Sequence, residues 1–288
     1  MKNRRGSDFR VFRKGSWKVW VREERVSLLC PPDRSLLSCY QGAQIVQDLE
    51  RSVVFSIPLQ ETLGGNVVVK LYPPPRKAGK VFIDFLRHSP AVREFEILVD
   101  LFKQGLPVPE PLAAGERRGY RFLEESFFIS RELLETEPLD LYLANLKNRS
   151  PKERLKSKRA VSRLMAKALA DIHGASVYHR DLHCSNVLVE KGPSPQAVYL
   201  IDFKTARVKS FLNYGRFIHD LKRLGRSAQN RRLKEMGLIT RRDLLRFYSD
   251  YAREICLSRK ETEEHECRPR SQAVLNKRWD RALRGLLS

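Results

Sequence analysis

No stretch of the 288-residue chain approaches the ~18 to 20 consecutive apolar residues that a membrane-spanning helix needs. The opening Met1-Lys-Asn-Arg-Arg5 runs into alternating charge where a secretory leader would place its apolar core, so any membrane contact is expected to be peripheral. Cysteine is sparse and unpatterned. Cys30, Cys39, Cys184, Cys256 and Cys267 are odd in number, widely scattered and without a Cys-x-x-Cys pair, which argues against a disulfide framework or a zinc site and fits a reducing cytoplasm. Acidic residues are in short supply: 34 Asp+Glu stand against 55 Lys+Arg, for a formal charge of +21. Such a surface attracts phosphates, whether on nucleic acid, anionic lipid or a phosphorylated sugar, and charge alone does not choose among them. What is present in quantity is apolar material. At 42% hydrophobic content the chain buries a sizeable core, and its length suits two lobes or two modest domains.

The most informative stretch is Tyr178-His-Arg-Asp-Leu-His-Cys-Ser-Asn-Val-Leu-Val189, followed by Tyr199-Leu-Ile-Asp-Phe203. In order and spacing these match the catalytic loop and metal-binding strand of kinases. Phosphoryl transfer rests on positioning an acceptor hydroxyl and screening a triphosphate. In that reading Asp181 orients the acceptor hydroxyl, while Asn186 offers an amide oxygen and Asp202 a hard carboxylate to Mg²⁺. The apolar runs 187–189 and 198–201 are predicted as two short strands flanking the loop.

Upstream, Phe9-Arg-Val-Phe-Arg13 and Trp17-Lys-Val-Trp-Val21 around Gly15-Ser16 predict a hairpin with one apolar and one basic side, read as an edge hairpin in preference to a membrane-docking element. Cys30-Pro-Pro-Asp33 reads as a turn or linker. Val53–Ile57 and Asn66–Tyr72 predict paired strands, and Lys70, inside the second, is costly to bury unless it meets anions such as the α- and β-phosphates of ATP. After a basic linker, Ser89-Pro90 caps a helix whose apolar stripe is Val92, Phe95, Leu98, Val99 and Phe102. Glu94 is placed to face the sheet and partner Lys70, in preference to Glu96. Gly105-Leu-Pro-Val-Pro-Glu-Pro111 ends that helix, and an extended hairpin leads to Arg131-Glu-Leu-Leu-Glu135, where a hinge falls and backbone groups of Glu132 and Leu134 are expected at adenine. Helical spacing over Lys158–His173 is core packing, closed by Gly174. The expected architecture is α+β and bilobal, protein-kinase-like, with an antiparallel-sheet lobe over 1–131 and a mainly helical lobe over 132–288.

Between Asp202 and the next helical pattern, Phe217–Leu224, there is no long activation segment and no Ala-Pro-Glu, and Lys204 stands where Asp-Phe-Gly has glycine. With Ser89–Glu94, Gly105–Pro111, Ile172-His173, the catalytic loop, Leu200–Phe203 and Leu221-Lys-Arg-Leu224, the chain resembles the lipopolysaccharide core kinases over roughly Glu50–Tyr251. The resemblance implies ATP and Mg²⁺ as cofactors, a nucleotide ion pair of Lys70 with Glu94, catalytic Asp181, and metal ligands Asn186 and Asp202. It also implies a heptose or Kdo sugar of the inner-core glycolipid as acceptor. Asp181-Leu-His183 is also similar to aminoglycoside and choline kinases, whereas Ser/Thr protein kinases usually carry lysine at the place of His183, which points to a small molecule or glycolipid. The segment expected over the phosphates, Asp48–Ser52, has no glycine, so ATP binding is expected to be weak or to rest mainly on Lys70 and metal. The +21 charge fits an anionic acceptor on the cytoplasmic face of the inner membrane. Two alternatives stay open: an atypical small protein kinase acting on protein or RNA-associated substrates, and a non-catalytic kinase fold that binds an anionic ligand. Nucleic-acid binding alone has little support, because the aromatic residues form no stacking motif and the charge is dispersed.

Overall fold

A computed structural model describes residues 9–22, 44–49, 52–57, 65–74, 87–120, 122–192, 194–208, 214–229 and 238–263. The Cys30–Asp33 turn, most of the basic linker after Pro74, Glu50 and Arg51 of the segment expected over the phosphates, and the tail from residue 264 lie outside them. The chain divides into two compact units, one of residues 1–104 and 109–134, the other of residues 105–108 and 135–288.

In the first unit, among the described residues, seven strands form an antiparallel sheet. They are β1 (Phe9–Lys14), β2 (Trp17–Arg22), β3 (Gln44–Leu49), β4 (Ser52–Ile57), β5 (Val67–Tyr72), β6 (Pro111–Gly119) and β7 (Phe122–Arg131), in spatial order β1-β2-β6-β7-β5-β4-β3. The predicted N-terminal hairpin forms, with Phe12 opposite Val19, and extends the sheet by pairing β2 with β6. Its tryptophans are core residues. Trp17 is 8% and Trp20 3% exposed, with Trp17 tilted against Phe127 at 5.3 Å. Burying the indoles removes the surface that interfacial contact would have used.

Period-2 alternation sorts β5 cleanly. Val67 and Val69 enter the cluster with Val19, Val21, Ile57, Leu112, Phe127 and Ile129, and Leu71 packs against it. Lys70 and Tyr72 therefore point to the other face, the side of α1 (Pro90–Lys103), which packs on β6 and β7. Ser89 caps α1 by accepting the Val92 N–H at 3.2 Å, with Pro90 in the first turn where a missing N–H costs nothing.

The second unit is mainly helical: β8 (Thr136–Pro138), α2 (Leu139–Asn145), α3 (Pro151–Gly174), β9 (Val177–Tyr178), β10 (Val187–Glu190), β11 (Val198–Leu200), β12 (Arg207–Val208), α4 (Tyr214–Ala228) and α5 (Arg241–Glu263). Helix α3 begins at Pro151, seven residues before the apolar periodicity that predicts it. Ser150 and Glu153 form a reciprocal capping box, so side-chain hydrogen bonds set the start while the first turns stay polar and exposed. Past its end the left-handed residue is Ser176 (φ 59°), not Gly174. Strand β10, which follows the predicted catalytic loop, pairs antiparallel with β11 and β8, while β9, which precedes it, pairs with β12. The segment 105–108 belongs to this unit through Pro107, whose carbonyl accepts the Leu200 N–H at 2.9 Å.

Candidate active site

Each unit carries part of the predicted constellation. Lys70, Glu94, Glu132 and Leu134 lie in the first, Asp181, Asn186 and Asp202 in the second.

In the first unit Lys70 Nζ lies 3.0 Å from Glu94 Oε1, and Tyr72 Oη donates to Glu94 Oε2 at 2.8 Å. Glu94 is fully buried and the Lys70 side chain only 14% exposed. A carboxylate taken out of water needs such compensation on both oxygens, and removing one partner of a buried pair costs about 3–5 kcal/mol. Tyr72 was not among the predicted residues. Its signal was available, because it stands two places from Lys70 on the same strand face. The Glu132 N–H is bound to the Asn66 carbonyl at 2.9 Å, and its side chain receives the Ser56 hydroxyl at 2.8 Å. Leu134 is 61% exposed.

In the second unit the loop is held by one face of α4. Asp220, 1% exposed, accepts the His179 N–H on Oδ2 and the Arg180 N–H on Oδ1, each at 2.9 Å. Arg223 ion-pairs with Asp181 Oδ1, and the Ser227 hydroxyl accepts the Cys184 N–H at 2.6 Å. Positions 220, 223 and 227 stand on one helical face, and they engage the loop in chain order. Burial opposes ionisation of Asp220, but hydrogen bonds from His173 and the Arg180 N–H outweigh it and hold the carboxyl below the usual range. Behind it, burial lowers His173, whose Nδ1 lies 2.7 Å from Tyr251 Oη and Nε2 3.4 Å from Asp220. Burial also keeps the Tyr251 hydroxyl protonated. The network therefore assigns a neutral Nε2–H tautomer, donating to Asp220 and accepting from Tyr251.

His179 is likewise held neutral by burial. Its Nε2 lies 2.8 Å from the Ile201 carbonyl, an acceptor, so Nε2 carries the proton and Nδ1 receives the Asp181 N–H at 3.3 Å. The Asn186 carbonyl accepts the Ile201 N–H at 3.0 Å. Asn186 Nδ2 donates to the Asp181 carbonyl at 2.8 Å and toward His183 Nε2 at 3.0 Å, which fixes the amide orientation and leaves Oδ1 as the acceptor end. Asp181, Asn186 and the residue preceding Asp202 are thus joined in one hydrogen-bonded network. Beside this network, Arg180 (φ 66°) and Asp202 (φ 68°) are left-handed without being glycine, a conformation costing about 1–3 kcal/mol that active sites commonly hold. Lys204 reaches Asp202 Oδ2 at 2.9 Å, so the residue standing in for glycine has its own electrostatic partner. Cys184 is not a reactive thiol: burial pushes its pKa up to about 11.

Among the described residues no cluster of three or more His, Cys, Asp and Glu could hold a metal. Mg²⁺ takes one or two carboxylates and completes its shell with amide, water and phosphate oxygens. Asn186 Oδ1 and the Asp202 carboxylate, the latter paired with Lys204, are the oxygens there that could hold such an ion.

The family model of the lipopolysaccharide kinase (Kdo/WaaP) family matches residues 48–251. A 3-deoxy-D-manno-octulosonic acid kinase of Haemophilus influenzae (strain PittEE) is 29% identical over 194 residues, covering 65% of this chain and 74% of that protein. The lipopolysaccharide core heptose(I) kinase WaaP of Pseudomonas aeruginosa is 30% identical over 167 residues, covering 57% of this chain and 59% of that protein. A solved structure of WaaP in complex with acyl carrier protein covers 94% of this chain and 99% of its own, with a TM-score of 0.58 at 23% identity. At that identity the likeness shows the fold, which is α+β and protein-kinase-like.

Proposed function

The chain belongs to the lipopolysaccharide kinase (Kdo/WaaP) family, and from that premise we propose that it transfers the γ-phosphoryl group of ATP to a hydroxyl of a heptose or Kdo sugar in the lipopolysaccharide inner core. The observation that carries the reading is the loop at 179–186, clamped by Asp220 and tied to the strand before Asp202, with its aspartate, asparagine and second aspartate in kinase order. In it Asp181 accepts a hydrogen bond from the acceptor hydroxyl and orients it for attack. Lys70, braced by Glu94 and Tyr72, binds phosphate oxygens, and the carbonyl of Glu132 with the backbone of Leu134 takes the adenine edge. Asn186 and Asp202 would hold Mg²⁺, whose chemistry there would be to neutralise charge on the phosphate oxygens.

The acceptor reading draws on charge as well as on kinship. Inner-core glycolipid carries anionic sugars and sits in an anionic leaflet, and a chain of formal charge +21 associates with it peripherally. The test is to incubate purified protein with γ-labelled ATP, Mg²⁺ and inner-core glycolipid, and to locate the label by mass spectrometry. One added phosphate on a heptose or Kdo residue, absent with Asp181→Asn, is the expected result. Label on protein or RNA fractions in preference to glycolipid, or undiminished transfer by Asp181→Asn, overturns it. Binding to anionic vesicles should fall as salt rises, and salt-indifferent binding would remove the peripheral-membrane part.

A further inference from the structure

Resting on the kinase reading above, we propose that Arg223 is a catalytic residue that grips the phosphoryl group in flight, supplying from helix α4 the cation that stands against Asp181. A transferring phosphoryl group spreads negative charge over its equatorial oxygens, and a preorganised cation beside it lowers the barrier. Within the loop, the residue two places after Asp181 is His183, and its Nε2 is occupied as the acceptor of the Asn186 amide. The basic group that does meet the catalytic carboxylate comes from 42 residues further along: Arg223, ion-paired with Asp181 Oδ1.

Three features separate this contact from an incidental ion pair. First, its position is set from both sides on one helix, because Asp220 fixes the loop backbone at 179 and 180 while Ser227 fixes Cys184. The guanidinium is thereby aimed at Asp181 by anchors that do not depend on it. Second, the pair contributes little to stability. Its side chains are 40% and 29% exposed, and pairs that wet are worth about 0–1 kcal/mol. Third, guanidinium has five N–H donors in a planar fork suited to phosphate oxygens, and among the described residues it meets one Asp181 oxygen. The remaining donors are available to a ligand that itself meets Asp181.

In the transfer step the acceptor oxygen forms the new bond to the γ-phosphorus as the bond to the β,γ-bridging oxygen breaks. ADP leaves with that electron pair, the hydroxyl proton passes to Asp181, and Arg223 stays protonated throughout. Charge lost from Asp181 on protonation is replaced, for Arg223, by the charge of the phosphoryl oxygens, so the cation keeps an anionic partner across the reaction.

The experiment measures glycolipid phosphorylation by the full-length protein with Arg223→Ala and Arg223→Lys, with Asp181→Asn as control. Arg223→Ala is expected to lower kcat about 10²- to 10³-fold while the KM for ATP changes less than about threefold, with free guanidinium ion restoring part of the rate. Arg223→Lys keeps the charge without the fork and should recover only part of the loss. Wild-type or raised kcat in Arg223→Ala, alongside an inactive Asp181→Asn, overturns the proposal and leaves the kinase reading standing. Activity in Asp181→Asn overturns the kinase reading itself. Should Arg223→Ala not fold, Arg223→Lys carries the test: a kcat at least about tenfold down at unchanged KM supports the role, and a wild-type kcat refutes it.

Discussion

Replacing Asp220 by asparagine isolates the clamp on the catalytic loop. The carboxylate accepts two backbone N–H groups, from His179 and Arg180, one on each oxygen at 2.9 Å, and a longer contact of 3.4 Å from His173. Asparagine keeps one oxygen and turns an NH₂ toward a second donor. One buried N–H is then orphaned at a cost of about 1–3 kcal/mol, and the surviving bond loses its charge assistance, about 1 kcal/mol more. The total of about 2–4 kcal/mol falls on a segment whose Arg180 is already left-handed, so the loop should open locally before the unit unfolds. Native-state amide exchange reads this directly: the 179 and 180 amides should lose about 30- to 10³-fold of their protection. Phosphotransfer should fall with them, because Asp181 follows Arg180 immediately. Wild-type exchange at those two amides in Asp220→Asn would refute the reasoning, whatever the activity did.

Glu116 gives a pH dependence with a defined sign. Burial alone would raise its pKa, but hydrogen bonds from His88, Arg118 and the Ser89 N–H outweigh that and lower it from 4.5 to about 2. A folded value below the unfolded one means the stabilisation is complete above about pH 4.5 and is lost as the pH falls from there toward about 2, roughly 3 kcal/mol in all. Urea titrations across this range should show Glu116→Gln with a flatter decline than the wild type, and parallel declines would contradict the assignment. At Gly115, an added Cβ would run into the Phe127 ring of the core cluster, so Gly115→Ala should cost about 1–3 kcal/mol in denaturant unfolding. A midpoint unchanged from wild type would show that the ring moves freely.

Much of the architecture was legible because its signals are local. The Val67–Tyr72 strand and the helix after Ser89 announce themselves by periods of two and 3.6 residues and by cap chemistry, all within one element. The loop at 179–186 was readable because its polar residues lie within eight positions of each other. The start of α3 was not, since a capping box over exposed residues leaves no apolar rhythm. Nor were Tyr72, Arg223 and Ser227 singled out, though Phe217, Leu221 and Leu224 put Asp220 on a buried stripe and gave a signal that it was not a solvated charge.

The sequence by itself determined which polar side chains stand in kinase order along the chain, since motif, strand alternation and helix face are properties of neighbouring residues. Only the tertiary structure decided what holds them. Asp220 and Arg223 reach partners some 40 residues back along the chain, where local spelling carries no record of contact, and a buried aspartate and an exposed one are written with the same letter. Their contacts arise because α4 lies along the loop, so that residues a turn apart on one helix meet residues consecutive in another segment.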